Sequence, residues 1–322
     1  MNEFSGRIAV VTGGGSGMGR ELVAQLAAEG CDVAFCDVSA DAMAETLELA
    51  RAGAASGVRL TTFVADVSDR AQMDAFQRHV AESFSTDHIH LLFNNAGIGG
   101  GGSVIHDSSE QWDRVFGICW GGVLNGTRAF LPMLVAADEA HLVNTSSING
   151  FWAALGPDIA HTAYSAAKFA VKGFTEALIT DFALHAPHVH AHVVMPGHIG
   201  TSIIFNSGTV LGRDPKNLTS EQIAEIRDQF GSRGMDLSGV SDEDIRMGVL
   251  MRAEAFRDTA PTTAADASAI ILNGVRAGTW RILVGDDAVH LDEKVRADPT
   301  RAYTREFFDE LRSEGTLQFG QG

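Results

Sequence analysis

Residues 7–19 read RIAVVTGGGSGMG, an apolar run followed by five glycines within seven residues. The run at 7–12 predicts a buried β-strand, and the pattern over 17–30 predicts a helix that ends on a glycine. Glycines let the backbone turn tightly and approach a pyrophosphate, which the N-terminus of the following helix attracts. A glycine-rich turn alone is weak evidence, but its position between the first strand and the first helix is the context that such a site requires. The stretch therefore predicts a dinucleotide site.

The rest of the chain continues this alternation of strands and helices. Further strands are predicted at 32–37, 59–65, 89–94, 141–145, 190–195 and 280–284, and further helices at 41–51, 69–84, 109–136, 162–184 and 261–277. Strands regularly separated by helices imply parallel pairing with right-handed crossovers. The sequence therefore predicts an α/β fold with a doubly wound, seven-stranded parallel sheet of the Rossmann type, flanked by helices.

Two segments fall outside the alternation. Residues 200–257 contain helical patterns at 220–230 and 242–256. Because this insertion follows the C-terminal end of a strand, it is predicted to be a helical lid over the site. The C-terminal extension, about 286–322, ends in a predicted helix at 301–313 and is expected to cover the pocket or a subunit contact. We expect a single domain over residues 1–322.

Charge and composition limit the partners. The net charge of -17 repels nucleic acid and anionic membrane surfaces, so neither is expected as a partner. No stretch is long and apolar enough to cross a bilayer, and residues 1–6 lack the features of a signal peptide, so we expect a cytoplasmic protein. Cys31, Cys36 and Cys119 form neither a disulfide framework nor a zinc pattern, and no metal is expected. Cys31 and Cys36 flank a predicted strand and are expected in the core.

Polar side chains follow the predicted strands at the carboxyl edge of the sheet. Asp37 ends the second strand, where an acid accepts hydrogen bonds from both ribose hydroxyls of NAD and repels the 2′-phosphate of NADP. The following Val38 and Ser39 offer no arginine to that phosphate, so NAD is the predicted cofactor. A merely solvated aspartate would leave the preference open. Asp66 and residues 94–97 end the next two strands, and Asp66 either belongs to the site or caps the next helix.

Tyr164 and Lys168 lie one helical turn apart near the start of a predicted helix and share one face. A free tyrosine has a pKa of about 10, and a nearby cation favours the phenolate. Ser147 ends the fifth strand, where its hydroxyl can hold a substrate oxygen. The chain has 18 Phe but only two Tyr, and only four lysines, so this pair is not a product of general composition. The alternative is a packed tyrosine beside a surface lysine.

These motifs, in this order, resemble those of the short-chain dehydrogenase/reductase family, of the classical type. The family's Thr-Gly-x-x-x-Gly-x-Gly loop corresponds to residues 12–19 and its Asn-Asn-Ala-Gly to 94–97. Its Tyr-x-x-x-Lys corresponds to 164–168 and its Pro-Gly segment to 195–201. The resemblance covers about residues 7–285, and the loop spacing differs from that of the extended, sugar-epimerase-like branch.

The resemblance implies hydride transfer between NAD(H) and a carbon that bears a hydroxyl or keto group. Tyr164 would be the general acid/base. Lys168 would lower the pKa of Tyr164 and hold the nicotinamide ribose, and Ser147 would polarise the carbonyl.

The resemblance also implies the cofactor site. The Asp66 side chain and the Val67 backbone would hold the adenine, and Ile199 and Thr201 would bind the carboxamide. The full set of cofactor-binding residues implied is Gly13, Gly15, Ser16, Gly17, Met18, Gly19, Asp37, Asp66, Val67, Asn95, Ala96, Gly97, Tyr164, Lys168, Pro196, Gly197, Ile199 and Thr201.

The chain departs from the family at two places. Cys119 stands where the family has an asparagine that anchors a water of the proton relay, and a thiol is a poor hydrogen-bond partner. The family's asparagine works largely through its main-chain carbonyl, which a cysteine retains. Asn125 is six residues further along and does not share the face of Cys119. The segment between Ser147 and Tyr164 is also about four residues longer than usual, and the extra loop at 151–159, with Phe151, Trp152 and Leu155, is expected to line the substrate site.

The substrate is expected to be a small molecule that is largely apolar, such as a bulky secondary alcohol or ketone, because Trp152 and the lid supply apolar side chains. Those of the lid are Ile203, Ile204, Phe205, Val210, Leu211 and Met235. Alternatively, these side chains pack the lid on the body. Two other functions stay open: a cofactor-binding regulator or scaffold without turnover, which Cys119 motivates, and a 3-oxoacyl thioester reductase. The family resemblance implies a homotetramer or homodimer built on the helices at 109–136 and 162–184. His161 and His198 flank the site and are assigned no role.

Overall fold

The computed structural model describes residues 1–100, 102–106, 108–157, 159–232 and 236–315, with the backbone alone at 229 and 232. The strands are β1 Ile8–Thr12, β2 Asp32–Asp37, β3 Leu60–Val64, β4 Leu91–Asn94, β5 Ala140–Thr145, β6 Val189–Pro196, β7 Ile199–Gly200, β8 Thr262–Thr263 and β9 Arg281–Val284. The helices are α1 Gly17–Ala28, α2 Ala40–Gly53, α3 Arg70–Phe84, α4 Ser109–Phe116, α5 Gly122–Val135, α6 Thr162–His185, α7 Ile203–Val210, α8 Ser220–Ser232, α9 Asp242–Asp258, α10 Ala264–Arg276, α11 Asp286–Ala297 and α12 Arg305–Ser313.

Seven strands of the described chain form one parallel sheet in the order β3-β2-β1-β4-β5-β6-β9. All five residues of β1 are buried, which explains why this strand is a continuous apolar run. The strand order reverses between β1 and β4, and the crevice at such a switch point is where open α/β sheets bind ligands. The predicted doubly wound, seven-stranded parallel sheet is confirmed.

An apolar core lies on each face of the sheet, because successive strand residues point to opposite faces. Val10 belongs to the core that includes Phe76 of α3 and Phe130 of α5. Its neighbour Val11 belongs to the core that includes Leu22 of α1 and Ile271 of α10. Both faces of the sheet are therefore covered, as the alternation of strands and helices predicts.

The predicted helix over 109–136 is interrupted by a π-helical turn at Gly117–Gly121, which separates α4 from α5. Such turns carry one extra residue and are frequent at functional sites. Cys119 lies in this turn and is fully buried, and Cys31 and Cys36 are buried in the cores, as predicted. Among the described residues, no helix combines the length and the apolar character needed to cross a bilayer.

The C-terminal helices pack against the loop after Ser147. Trp152 is fully buried, and its Nε1–H donates to the Ala302 carbonyl at 2.7 Å. The indole contacts the rings of Phe307 and Phe308 in α12, with centroids 6.2 and 5.5 Å apart. The prediction that Trp152 lines the substrate site is therefore wrong, because its side chain fills a separate core with α11 and α12.

Candidate active site

The glycine loop between β1 and α1 forms one wall of a cavity of about 410 Å³ at the carboxyl edge of the sheet. Gly13 and Gly17 have φ of 67° and 52°, in the left-handed region that favours glycine. A Cβ on Gly13 would lie 2.8 Å from Ala96 Cα. The Thr12 hydroxyl accepts the Asn95 and Ala96 N–H groups at 3.0 and 3.1 Å. The first and fourth strands are thus joined where the loop turns, and a side chain at Gly13 would not fit.

Most of the predicted cofactor residues line this cavity, namely Gly13, Ser16, Gly17, Met18, Asp37, Asp66, Val67, Asn95, Ala96, Gly97 and Thr201. In the described ranges, seven others lie outside its lining: Gly15, Gly19, Tyr164, Lys168, Pro196, Gly197 and Ile199. Several lining residues were missed by the sequence analysis, among them Ile98, Arg114, Ile118, Asn206 and Thr209. These residues come from elements that only tertiary packing brings to the cavity, so no local sequence pattern identifies them.

At one end of the cavity, the Asp37 carboxylate is held by two backbone N–H groups. Gly15 and Ser39 donate to its two oxygens at 3.0 and 3.1 Å. A carboxylate has about four acceptor positions, so Asp37 keeps capacity for the two hydroxyls of a ribose. Arg20 donates to the Gly15 carbonyl at 2.7 Å and pairs with Glu45 at 2.8 Å. Its guanidinium is thereby engaged away from Asp37.

Asp66 lies in the cavity wall after β3. Its carboxylate accepts hydrogen bonds from the Ser68 backbone and hydroxyl and pairs with Arg114 at 2.7 Å. Burial acts to raise the pKa of Asp66, but the hydrogen bonds from Ser68 and the pairing with Arg114 outweigh it, so the pKa lies below its ordinary value. The helix α3 is capped by Asp69, which accepts from the Ala71 N–H at 2.8 Å. The alternative that Asp66 is a helix cap is therefore wrong.

Helix α7 of the lid segment contacts the glycine loop. Asn206 Nδ2 donates to the Ser16 hydroxyl at 2.9 Å. A Cβ on Gly17 would lie 3.2 Å from Thr201 Cγ2, so the start of the lid segment also adjoins the loop. The N-terminal part of the predicted lid therefore forms a wall of the cavity.

The apolar lid residues divide between the two roles that the sequence left open. Ile203 and Val210 line the cavity. Val210 and Leu211 also pack against the core on the α5 and α6 face of the sheet. Phe205 is buried within the lid segment. The Lys216 ammonium and the Arg257 guanidinium lie 5.4 and 5.7 Å from the centroid of its ring. Met235 lies outside the described residues.

Tyr164, Lys168 and Ser147 lie together at the start of α6. The Ser147 hydroxyl accepts the Asn149 N–H at 3.1 Å and lies close enough to the Tyr164 phenol to lower its pKa. Lys168 Nζ lies 5.3 Å from the centroid of the Tyr164 ring and donates to the Thr145 carbonyl at 2.9 Å. Lys168 is 2% exposed, so the alternative of a surface lysine is wrong.

Burial dominates the electrostatics of this pair. It raises the pKa of the Tyr164 phenol well above its ordinary value, and the nearby Ser147 hydroxyl acts in the opposite direction. Burial also lowers the pKa of the Lys168 ammonium. The predicted lowering of the phenol pKa is therefore not produced by the protein groups. The cost of desolvating the phenolate is larger than the stabilisation that its polar neighbours provide.

Cys119 lies close to this set. Its thiol donates to the Ile98 carbonyl at 3.1 Å. A Cβ on Gly97 would lie 3.5 Å from Lys168 Nζ and 3.8 Å from Cys119 Sγ, so both groups face the same glycine. Asn125 Nδ2 instead donates to two backbone carbonyls after β3, at 3.0 and 3.2 Å. As predicted, Asn125 does not replace the family asparagine.

The Pro-Gly segment is fixed by an aspartate that the sequence analysis missed. The Asp287 carboxylate accepts the His198 N–H at 2.7 Å, and a Cβ on Gly197 would lie 2.2 Å from the same oxygen. Burial raises the pKa of Asp287, and hydrogen bonds from backbone N–H groups partly offset this effect. The segment then pairs with β8 through Ile199 and Gly200. Asp287 therefore holds the turn after β6 in position.

The two flanking histidines differ in their surroundings. His198 Nε2 donates to the Phe256 carbonyl at 2.7 Å. His161 packs its ring against Tyr164, with centroids 4.8 Å apart and planes inclined by 37°. His161 therefore contacts the predicted acid/base directly, although its sequence position alone gave it no role.

Comparison with known proteins identifies the class. The family profile described as short chain dehydrogenase matches residues 7–208. The chain therefore belongs to the short-chain dehydrogenase/reductase family, the family that its motifs resemble, and so to the oxidoreductases with a Rossmann-type sheet.

Individual relatives extend the likeness over most of the chain. Levodione reductase of Leifsonia aquatica is 34% identical over 215 residues, 66% of this chain and 76% of the relative. Meso-2,3-butanediol dehydrogenase of Serratia marcescens is 31% identical over 230 residues, 71% of this chain and 80% of the relative. A short-chain dehydrogenase/reductase of Burkholderia phymatum, crystallised in complex with NAD, superposes with a TM-score of 0.71 at 29% identity, covering 93% of this chain and 98% of that one.

Proposed function

We propose that this protein is an NAD(H)-dependent oxidoreductase that interconverts a secondary alcohol and a ketone, with Tyr164 as its general acid/base. The observation that carries the proposal is the placement of the buried Lys168 ammonium 5.3 Å from the Tyr164 ring, with the buried Ser147 beside the phenol. Two relatives whose names give a diol and a dione as substrates support the reaction class, and the NAD complex of the Burkholderia protein supports the cofactor.

The residues of the cavity fit a dinucleotide. The glycine loop leaves space that a Cβ would fill, and the N-terminus of α1 attracts a pyrophosphate. Asp37 would accept the ribose hydroxyls, Asp66 and Val67 would hold the adenine, and Ile199 and Thr201 would hold the carboxamide. When bound, the nicotinamide accepts or supplies the hydride.

The chain's own residues supply the proton and hold the substrate. In the reducing direction, Ser147 donates a hydrogen bond to the carbonyl oxygen, and the Tyr164 phenol transfers its proton to that oxygen as the alcohol forms. The Lys168 ammonium stabilises the resulting phenolate by its charge. The main-chain carbonyl of Cys119 takes the place that the family gives to its asparagine carbonyl in the proton relay.

The replacement Tyr164→Phe tests the proposal. It removes only the phenol oxygen, and loss of a positioned acid/base reduces turnover by about 10²- to 10⁴-fold. We expect ketone reduction to fall accordingly, while NADH binding, followed by fluorescence titration, persists. Tyr303→Phe is the matched control, because Tyr303 is the other tyrosine of the chain and is 54% exposed. Parent-level turnover by Tyr164→Phe would reject the assignment.

We also propose a single domain over residues 1–322, in which 200–257 act as the lid, and self-association into a homodimer or homotetramer. Large apolar side chains exposed on α6 support the association: Phe169 is 41%, Ile179 38% and Leu184 71% exposed. Light scattering coupled to gel filtration measures the molar mass, and a monomer at micromolar concentration would refute the association.

A further inference from the structure

We propose that His161 is a substrate-binding residue that hydrogen-bonds a second, uncharged oxygen on the carbon next to the reacting one. The substrate class is then α-hydroxyketones, 1,2-diketones and the corresponding vicinal diols, rather than simple ketones. This inference rests on the proposed function, because it takes Ser147 and Tyr164 as the groups that hold the reacting oxygen.

The first observation is position. The imidazole of His161 and the phenol of Tyr164 are in direct contact, with ring centroids 4.8 Å apart. The imidazole is thus the side chain in direct ring contact with the predicted acid/base. The proposal places the second oxygen of a substrate held by the Tyr164 hydroxyl against this imidazole.

The second observation is that His161 makes no hydrogen bond through its ring within the residues that the structure describes. His161 is half-buried, and a neutral imidazole carries one donor and one acceptor that solvent or a ligand can reach. The buried histidines, by contrast, use their ring nitrogens within the protein. His90 accepts from a backbone N–H, His192 and His198 donate to backbone carbonyls, and His141 is hydrogen-bonded to His192. The ring of His161 is thus available to a ligand.

The third observation is that local structure does not account for a histidine here. His161 occupies the N-cap position of α6, yet its side chain makes no capping hydrogen bond, and Ser, Thr, Asp or Asn are the preferred residues there. The start of the helix is fastened by Thr162 instead. Its backbone N–H and its hydroxyl both donate to the Gly102 carbonyl at 2.9 Å, and Trp112 Nε1 donates to the same hydroxyl at 3.2 Å.

The charge of the imidazole selects the kind of oxygen. Burial lowers the pKa of His161 to about 4, and no charged neighbour contributes to this shift. The ring is therefore neutral at pH 7 and offers both a donor and an acceptor. That combination matches a hydroxyl or a keto oxygen, whereas a carboxylate would be better recognised by a cation.

The test compares matched substrates that differ by one hydroxyl: acetone with hydroxyacetone, and cyclohexanone with 2-hydroxycyclohexanone. Steady-state kinetics with NADH are measured for the parent and for His161→Phe, which preserves an aromatic ring against Tyr164. We expect the variant to lose about tenfold in kcat/KM for the hydroxyketones, the value of one hydrogen bond, mainly through KM. The rates with the simple ketones should stay within a factor of two. His161→Asn, which restores a donor and an acceptor, should recover part of the preference.

Two outcomes would overturn the inference while leaving the proposed function intact. An equal fall with simple ketones and hydroxyketones would mean that His161 only supports the Tyr164 ring. An unchanged hydroxyketone-to-ketone ratio in His161→Phe would mean that the imidazole does not contact the substrate. In both cases ketone reduction by the parent still supports the oxidoreductase. If the parent binds NADH but reduces none of the four compounds, the inference is rejected together with the alcohol and ketone chemistry on which it rests.

Discussion

Replacing Trp152 by phenylalanine should lower the free energy of unfolding by about 2–4 kcal/mol. The substitution removes the donor to the Ala302 carbonyl, a bond of 2.7 Å, and Ala302 is itself 1% exposed. A buried carbonyl left without a partner costs about 1–3 kcal/mol. The smaller ring also leaves part of the space beside Phe308 unfilled, at about 1 kcal/mol for each buried methylene equivalent. Trp152→Ala should cost about 3–5 kcal/mol, because nearly the whole side chain is lost.

Urea unfolding followed by far-UV circular dichroism at pH 7 gives both the free energy and its denaturant dependence. Trp280→Phe is the matched control, since the same replacement at a side chain that is 43% exposed should change the free energy by no more than about 0.5 kcal/mol. If Trp152→Phe and Trp280→Phe unfold at the same urea concentration with equal slopes, then packing of α12 against the loop after Ser147 does not stabilise the fold.

Three further predictions concern the cofactor loop, cofactor choice and acid stability. Gly13→Ala should weaken NADH binding at least about tenfold. Its Cβ would lie 2.8 Å from Ala96 Cα, and the backbone at this position has a positive φ, which alanine disfavours. Gly53→Ala is the control and should leave NADH binding unchanged, because there is open space around Gly53. Asp37→Asn should reduce the preference for NADH over NADPH in steady-state kinetics, because the charge that repels the 2′-phosphate is lost. Burial lowers the pKa of His90 to about 4, so the folded state binds fewer protons than the unfolded state between about pH 6.5 and 4. Stability is therefore lost as the pH falls through this window, and His90→Asn should flatten the dependence measured by urea unfolding at pH 7, 6 and 5.

Each of these predictions has a contrary result. Equal NADH affinities for Gly13→Ala and Gly53→Ala would show that the loop tolerates a side chain. An undiminished preference for NADH in Asp37→Asn would assign cofactor choice to other groups. A pH slope that is the same in the parent and in His90→Asn would mean that His90 is not neutral in the folded protein.

The central part of the fold could be predicted from the sequence because its signals are local. A strand buried on both faces produces an uninterrupted apolar run, as in β1, and the glycines of the loop mark positive φ. The two-residue strands β7 and β8 could not be predicted, since no periodicity is visible over two residues. Helix α7 was missed because its sequence, IIFNSGTV, consists mostly of residues with low helix propensity.

The same reasoning applies to the site. Tyr164 and Lys168 were predicted as neighbours because helical geometry places positions i and i+4 together. Asn206 bonds to Ser16 across 190 positions of sequence, and no local pattern encodes such a contact. Trp152 was misplaced because an aromatic residue in a loop has the same sequence signature whether it lines a pocket or packs under a helix 150 residues away.

All three cysteines are buried and unpaired by disulfides, so each can report when the structure around it opens. Thiols react with alkylating reagents as accessible thiolates, and burial raises the pKa of Cys31 and Cys36 further from the reactive range. In native buffer, iodoacetamide should therefore modify each cysteine only while its surroundings are transiently open. Peptide mass spectrometry then separates exposure of the β2 region, reported by Cys31 and Cys36, from exposure of the π-helical turn, reported by Cys119. Transient opening of these two regions can be timed without any engineered probe.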